Sequence, residues 1–142
     1  MDVSDLRKRI LRALDEARKD SAARRVAVDE AAKAYDAFLA DIAVPLMRQS
    51  AQVLNAAGES FSVHTPAASV RLASDKSAET FLELELDAGG SRDAVIGRVS
   101  SVGRRGPVIE EHPLAAGKAV GTLAEQDVAA FLVASIPKLV VR

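Results

Sequence analysis

No cysteine occurs among the 142 residues, which excludes structural disulfides, thiolate nucleophiles and cysteine-ligated zinc or iron–sulfur centres. Tryptophan is also missing and aromatic residues make up only 4% of the chain, so platforms for stacking nucleic-acid bases are in short supply. No apolar run approaches the ~20 residues of a membrane-spanning helix. The opening MDVSDLRKRI places two acids before its first basic residue and has no apolar core, unlike a secretory signal. A cytoplasmic protein away from membranes is expected. A net charge of -1 speaks against a general polyanion binder. Helix-breaking residues are absent over a long stretch: the first proline is Pro45 and the first glycine Gly58.

What fills that stretch is Ala, Leu, Arg, Glu and Asp, mostly good helix formers. About forty residues of helix at ~1.5 Å each make a rod of roughly 60 Å, whereas the remaining chain folded compactly should measure about 30 Å. The rod must overhang its own domain, bend back near Asp20–Arg25, or meet a second chain. Val3, Leu6, Ile10, Leu14 and Ala17 recur at three- and four-residue steps and form a narrow apolar stripe. The stripe fades through Arg25 and returns as Val28, Ala32, Tyr35, Leu39, Ile42, Leu46 and Val53, which should face the core. Pro45 lacks the N–H that would bond to the carbonyl of Asp41, so a kink or restart is predicted there. Gly58 suits the left-handed position that ends a helix.

The middle of the chain reads as an antiparallel meander of four to five strands. Phe61–His64 and Ser69–Ala73 flank the turn Thr65-Pro66-Ala67-Ala68, with His64 opposite Ser69 and Val63 opposite Val70. In Thr80–Asp87, Leu82, Leu84 and Leu86 alternate with Glu83 and Glu85, the pattern of a half-buried strand. Pairing Asp87 with Ala94 across the loop Ala88–Asp93 places Leu84 opposite Gly97 and Glu83 opposite Arg98, so apolar and charge patterns agree. Gly97 leaves room for Tyr35 or Phe38 to approach the sheet. After the turn Gly103-Arg104-Arg105-Gly106-Pro107, Val108–His112 should form a fourth pairing, with a bulge near Ser100–Val102 or as a short edge strand. A flexible Pro113–Gly121 stretch follows. Thr122-Leu-Ala-Glu125 reads as a capping box, opening a helix with Val128, Phe131, Leu132 and Ile136 on one face until Pro137 ends or bends it. The predicted fold is α+β: a long N-terminal helical arm, an antiparallel sheet, and a C-terminal helix packed on the same sheet face as the arm. Residues 1–57 are the arm, its distal half 1–25 available to another chain; residues 58–142 form one globular unit with 26–57.

Residues able to carry chemistry are few. His64 and His112 lack the three or four spaced ligands a metal site needs, although Glu110 and His112 share a strand face. Glu83, Glu85 and Asp87 line one strand face roughly 7 Å apart, and should be solvated and partnered by Arg71 and Arg98 rather than catalytic. Arg104 and Arg105, flanked by glycines, are the best candidates to clamp an anion or acidic partner. No nucleophile–base pair, phosphate cradle, metal set or cofactor motif appears, so no enzyme is expected. The leading expectation is a non-enzymatic assembly module, a homodimer or a partner-protein binder, that uses Leu6, Ile10, Leu14 and Ala17. One alternative is a nucleic-acid-associated protein using Arg7, Lys8, Arg12, Arg18, Arg104 and Arg105, although Asp2, Asp5, Asp15, Glu16 and Asp20 are interleaved with the basic residues of the arm. The other is a small-ligand carrier with a pocket between sheet and helices.

Overall fold

A computed structural model describes residues 2–87 and 94–140, so the predicted loop Ala88–Asp93 lies outside the described residues. The chain divides into two compact units, Met1–Lys33 and Ala34–Arg142. The first is the greater part of helix α1, Val3–Phe38. Asp2 caps it: its carboxylate accepts the N–H of Ser4 at 3.3 Å, a donor that a helix start leaves free, and its carbonyl accepts the first regular helical bond, from Leu6. The bend considered at Asp20–Arg25 does not form. The alanines around it, Ala22, Ala23 and Ala27, favour continuing the helix there.

In the second unit α1 ends in a π-helical turn, Leu39–Ala43, followed by helix α2, Val44–Ala56. The predicted restart at Pro45 takes this form. Val44 donates its N–H to the carbonyl of Leu39, five residues back, and Pro45 stands in the first turn of α2, where its missing N–H does no harm. The wide turn inserts one residue and rotates everything after it. The buried line is therefore Tyr35, Phe38, Ala43, Met47, Ala51 and Leu54. An unbroken 3.6-residue period had pointed to Leu39, Ile42 and Leu46, which are only half-buried, and to Val28, Ala32 and Val53, which are exposed. Gly58 ends the helix with φ +90°, and Glu59 donates back to Leu54.

Five antiparallel strands follow in the order β1-β2-β3-β4-β5: Phe61–His64, Ser69–Ser74, Phe81–Leu86, Val95–Gly103 and Gly106–Pro113. The β3–β4 register is the predicted one, with Leu82 opposite Val99, Leu84 opposite Gly97 and Glu83 opposite Arg98. The first hairpin is offset by two residues from the expected pairing: His64 lies opposite Arg71 and Val63 opposite Leu72. Because strand side chains alternate with period two, this slip keeps every residue on its face. Its cause is the turn. Ser69 spends its N–H and its hydroxyl on the carbonyl of Pro66, so it cannot pair with His64. Ala67 and Ala68 take positive φ there, unusual for alanine.

Strand β5 is an eight-residue edge strand in regular register with β4, with no bulge at Ser100–Val102. Its alternation reads poorly because six of its eight residues are exposed and the other two half-buried. The stretch expected to be flexible instead forms two short turns, Leu114–Gly117, in which Ala115 and Ala116 take positive φ, and the 3-10 turn Val120–Thr122; they anchor Leu114 and Val120 in the core. Helix α3, Glu125–Val140, is not opened by Thr122, whose hydroxyl donates to the carbonyl of Ala119. Asp127 does that work, its carboxylate accepting the N–H of Ala124 at 2.9 Å. Pro137 does not end α3, which continues to Val140 and leaves no irregular tail among the described residues.

One apolar core gathers Tyr35 and Phe38 of α1, Met47 and Leu54 of α2, Val128, Leu132 and Leu139 of α3, and Val70, Leu72, Leu82, Leu84, Val95 and Val99 of the sheet. Each such side chain contributes roughly 1.5–3 kcal/mol by leaving water. No helix among the described residues is long and apolar enough to cross a membrane. Gly97 admits an aromatic ring, but the ring is Phe131 of α3 rather than Tyr35 or Phe38: a Cβ at position 97 would lie 2.5 Å from its Cε2 atom. Gly97→Ala is therefore expected to destabilise the protein by about 1–3 kcal/mol. In a double-mutant cycle measured by chemical denaturation, Phe131→Leu should remove much of that cost, since it withdraws the clashing ring edge; additive effects would show that the two do not meet.

Candidate interaction surfaces

Two surfaces hold the residues singled out from sequence. On α1, Leu6, Ile10 and Leu14 are 46, 50 and 45% exposed, and Ala17 is exposed as well. All four share a face of one helix because steps of three and four residues return to the same side of a 3.6-residue turn. Val3, the first residue of the predicted stripe, is exposed beside them, and the structure adds Leu11. Together with Leu6, Ile10 and the stem of Arg7 they line a shallow, almost wholly apolar hollow. Leu11 falls outside the three-and-four rhythm when counting starts from Leu6. It becomes visible as the residue one turn beyond Arg7, on the edge of the stripe. Asp15 and Lys19 form an ion pair at 3.1 Å four residues apart on this helix, in the favourable order.

The second surface is the polar face of the sheet. Directly opposed residues place His64, Arg71, Glu83, Arg98 and Glu111 in one row across all five strands. From β2 onward the charges alternate. Arg71 donates to Glu83 at 2.6 Å, Arg98 donates to the other oxygen of Glu83 at 2.9 Å, and the Nε of Arg98 donates to Glu111 at 2.8 Å. Arg98 also lies 3.7 Å from Glu85, and the Arg71 guanidinium stacks over Phe81 at 4.0 Å. The bonded carboxylate of Glu111 raises the Arg98 guanidinium above its ordinary pKa. Glu83 has the partners expected for it but not the expected solvation, being only 3% exposed. The missing piece in the sequence was Glu111, hidden by the poor alternation of β5.

Arg104 and Arg105 form the exposed two-residue turn between β4 and β5, with Gly106 at φ +117°. Neither makes a side-chain ion pair or hydrogen bond among the described residues. His112 stands 4.0 Å from Glu110, but Lys138 of α3 already holds that carboxylate at 2.9 Å and draws its pKa down. Among the described residues no group of three or more potential ligands is placed to hold a metal. At the base of the sheet, Asn55 grips the backbone of Phe61 with both ends of its amide, accepting its N–H at 2.8 Å and donating to its carbonyl at 3.1 Å. Asp75 accepts from Ser60 and Ser62, each at 2.7 Å, and these bonds hold its carboxyl below the usual range.

These features define a two-unit α+β protein: an apolar-striped helix, and a sheet whose polar face is tied by ions. Compared with family models, curated proteins and solved structures, the chain shows no match to any.

The buried phenol of Tyr35 donates to the carbonyl of Ala68, and burial pushes its pKa from the ordinary 10.0 up to about 12. A raised folded-state value means that the contribution is complete below the unfolded value and is lost as pH rises toward the folded one. Stability should thus fall between about pH 10 and 12. Tyr35→Phe should flatten that part of the pH profile while costing about 1 kcal/mol at neutral pH, as read by thermal melts across the range. For the ion row, Glu83→Gln is expected to cost about 1–3 kcal/mol, since two arginines lose a charged acceptor but still reach water. Urea denaturation would measure this, and a cost indistinguishable from that of Glu85→Gln would show that the buried position adds nothing.

Proposed function

We propose that this chain is a non-enzymatic assembly module that associates with itself through helix α1, working in the cytoplasm. The observation that carries the reading is the exposed stripe of Val3, Leu6, Ile10, Leu11 and Leu14 on a unit that consists of helix alone. Single exposed apolar residues are ordinary on protein surfaces; five on adjoining positions of one helix mark an interaction site. A lone helix also draws most of its stability from packing its apolar face against something else. The second unit carries its own core and supplies the folded body of each subunit.

Light scattering on the full chain over a concentration series tests this directly. The expected mass is that of a dimer, reverting to a monomer in Leu6→Glu/Ile10→Glu with unchanged melting of the second unit. A monomer at the highest concentration reached would remove the proposal.

A further inference from the structure

Resting on self-association through α1, we infer that the two helices pair parallel and in register, along a seam of Val3, Ile10, Leu14, Ala17 and Ser21. The argument is the distribution of charge beside the stripe. At about 100° per residue, Arg18 and Arg25 follow one edge of the seam together with Leu11. Leu6, Ala13 and Asp20 follow the other. In a parallel pair, each edge meets the opposite edge of the second helix, offset by five residues. Asp20 then meets Arg25 of the second copy and Leu6 meets its Leu11, each twice by symmetry. In an antiparallel pair like edges meet, and the arginine edge faces itself.

Among the described residues neither Asp20 nor Arg25 forms an ion pair, so both are available across the seam. In the apolar hollow, which Leu11 also borders, Val3, Leu6, Arg7 and Ile10 have the spacing of residues i, i+3, i+4 and i+7. That set forms the hole that receives a knob from a facing helix. Arg7 lies on the seam itself. Its stem lines the hollow while its guanidinium can extend to the edge and water, which allows a second Arg7 beside it. Arg24 is placed in the same way further along. These paired cations make the dimer weaken as salt is lowered at the seam, while the Asp20–Arg25 pairs select the orientation.

The absence of native cysteine makes the orientation directly readable in the full chain. Leu14→Cys and Ser21→Cys, each alone, should form disulfide-linked dimers under mild oxidation, because like positions on the seam come within bonding distance. Glu16→Cys, on the far side of the helix, should not. In a second experiment Asp20→Arg and Arg25→Asp should each dimerise more weakly than the parent, and mixing the two should restore a dimer tenfold or more tighter than either alone. If the chain is a dimer by light scattering but Leu14→Cys and Ser21→Cys fail to cross-link to themselves, while Val3→Cys links to Ser21→Cys, the parallel register is overturned and self-association stands. A chain that is monomeric throughout overturns both.

Discussion

Glu83 is the point on which the sheet turns. It is almost wholly buried, it stands opposite Arg71 on one side and Arg98 on the other, and it accepts a hydrogen bond from each. Apolar alternation tells a strand which face is inside but leaves its register open by steps of two. A buried carboxylate with two fixed cationic partners closes that freedom, because a slipped strand would leave a charge in the interior without its bonds. Arg98 passes the same constraint on to Glu111 and so to β5. The ion row thereby holds four strands in step, and Gly97 opposite Leu84, with Phe131 filling the space over it, registers α3 against the result.

The first hairpin shows what happens outside that row's charged part. Two registers of β1 against β2 give the same faces, and hydrophobicity does not distinguish them. Local hydrogen bonding decides: Ser69 is consumed by Pro66, Ala68 by Tyr35, Phe61 by Asn55, and Asp75 by Ser60 and Ser62. These are contacts between a turn, two helices and a strand end. Each is individually modest, worth about 1 kcal/mol net, and together they select one pairing.

The two units use their apolar residues differently. In the second, large side chains of helices and sheet disappear into one core. In the first, residues of the same kind on the same sort of helical spacing stay in contact with water. A helix that spends five large apolar residues on its surface gains nothing from them as a monomer. The self-association we propose would take its driving force from these residues and its direction from the arginine edge and the edge bearing Asp20 beside them.

Much of this was decided locally. The long helix, the disturbance at Pro45, the stop at Gly58 and the β3–β4 pairing are legible because each depends on neighbours in sequence or on two strands joined by a short loop. The exposed stripe of Leu6, Ile10, Leu14 and Ala17 is legible for the same reason. Other features required the tertiary structure. Relieving Pro45 with a π turn shifts the buried line by one residue, and only the packed core reveals that Ala43 and Met47, rather than Ile42 and Leu46, face inward. Which ring enters the space at Gly97, how deeply Glu83 is buried, and that Asp127 rather than Thr122 starts α3 all depend on elements far apart in the chain. Sequence periodicity reports which side of an element is apolar; it carries no information about which distant group arrives to cover it.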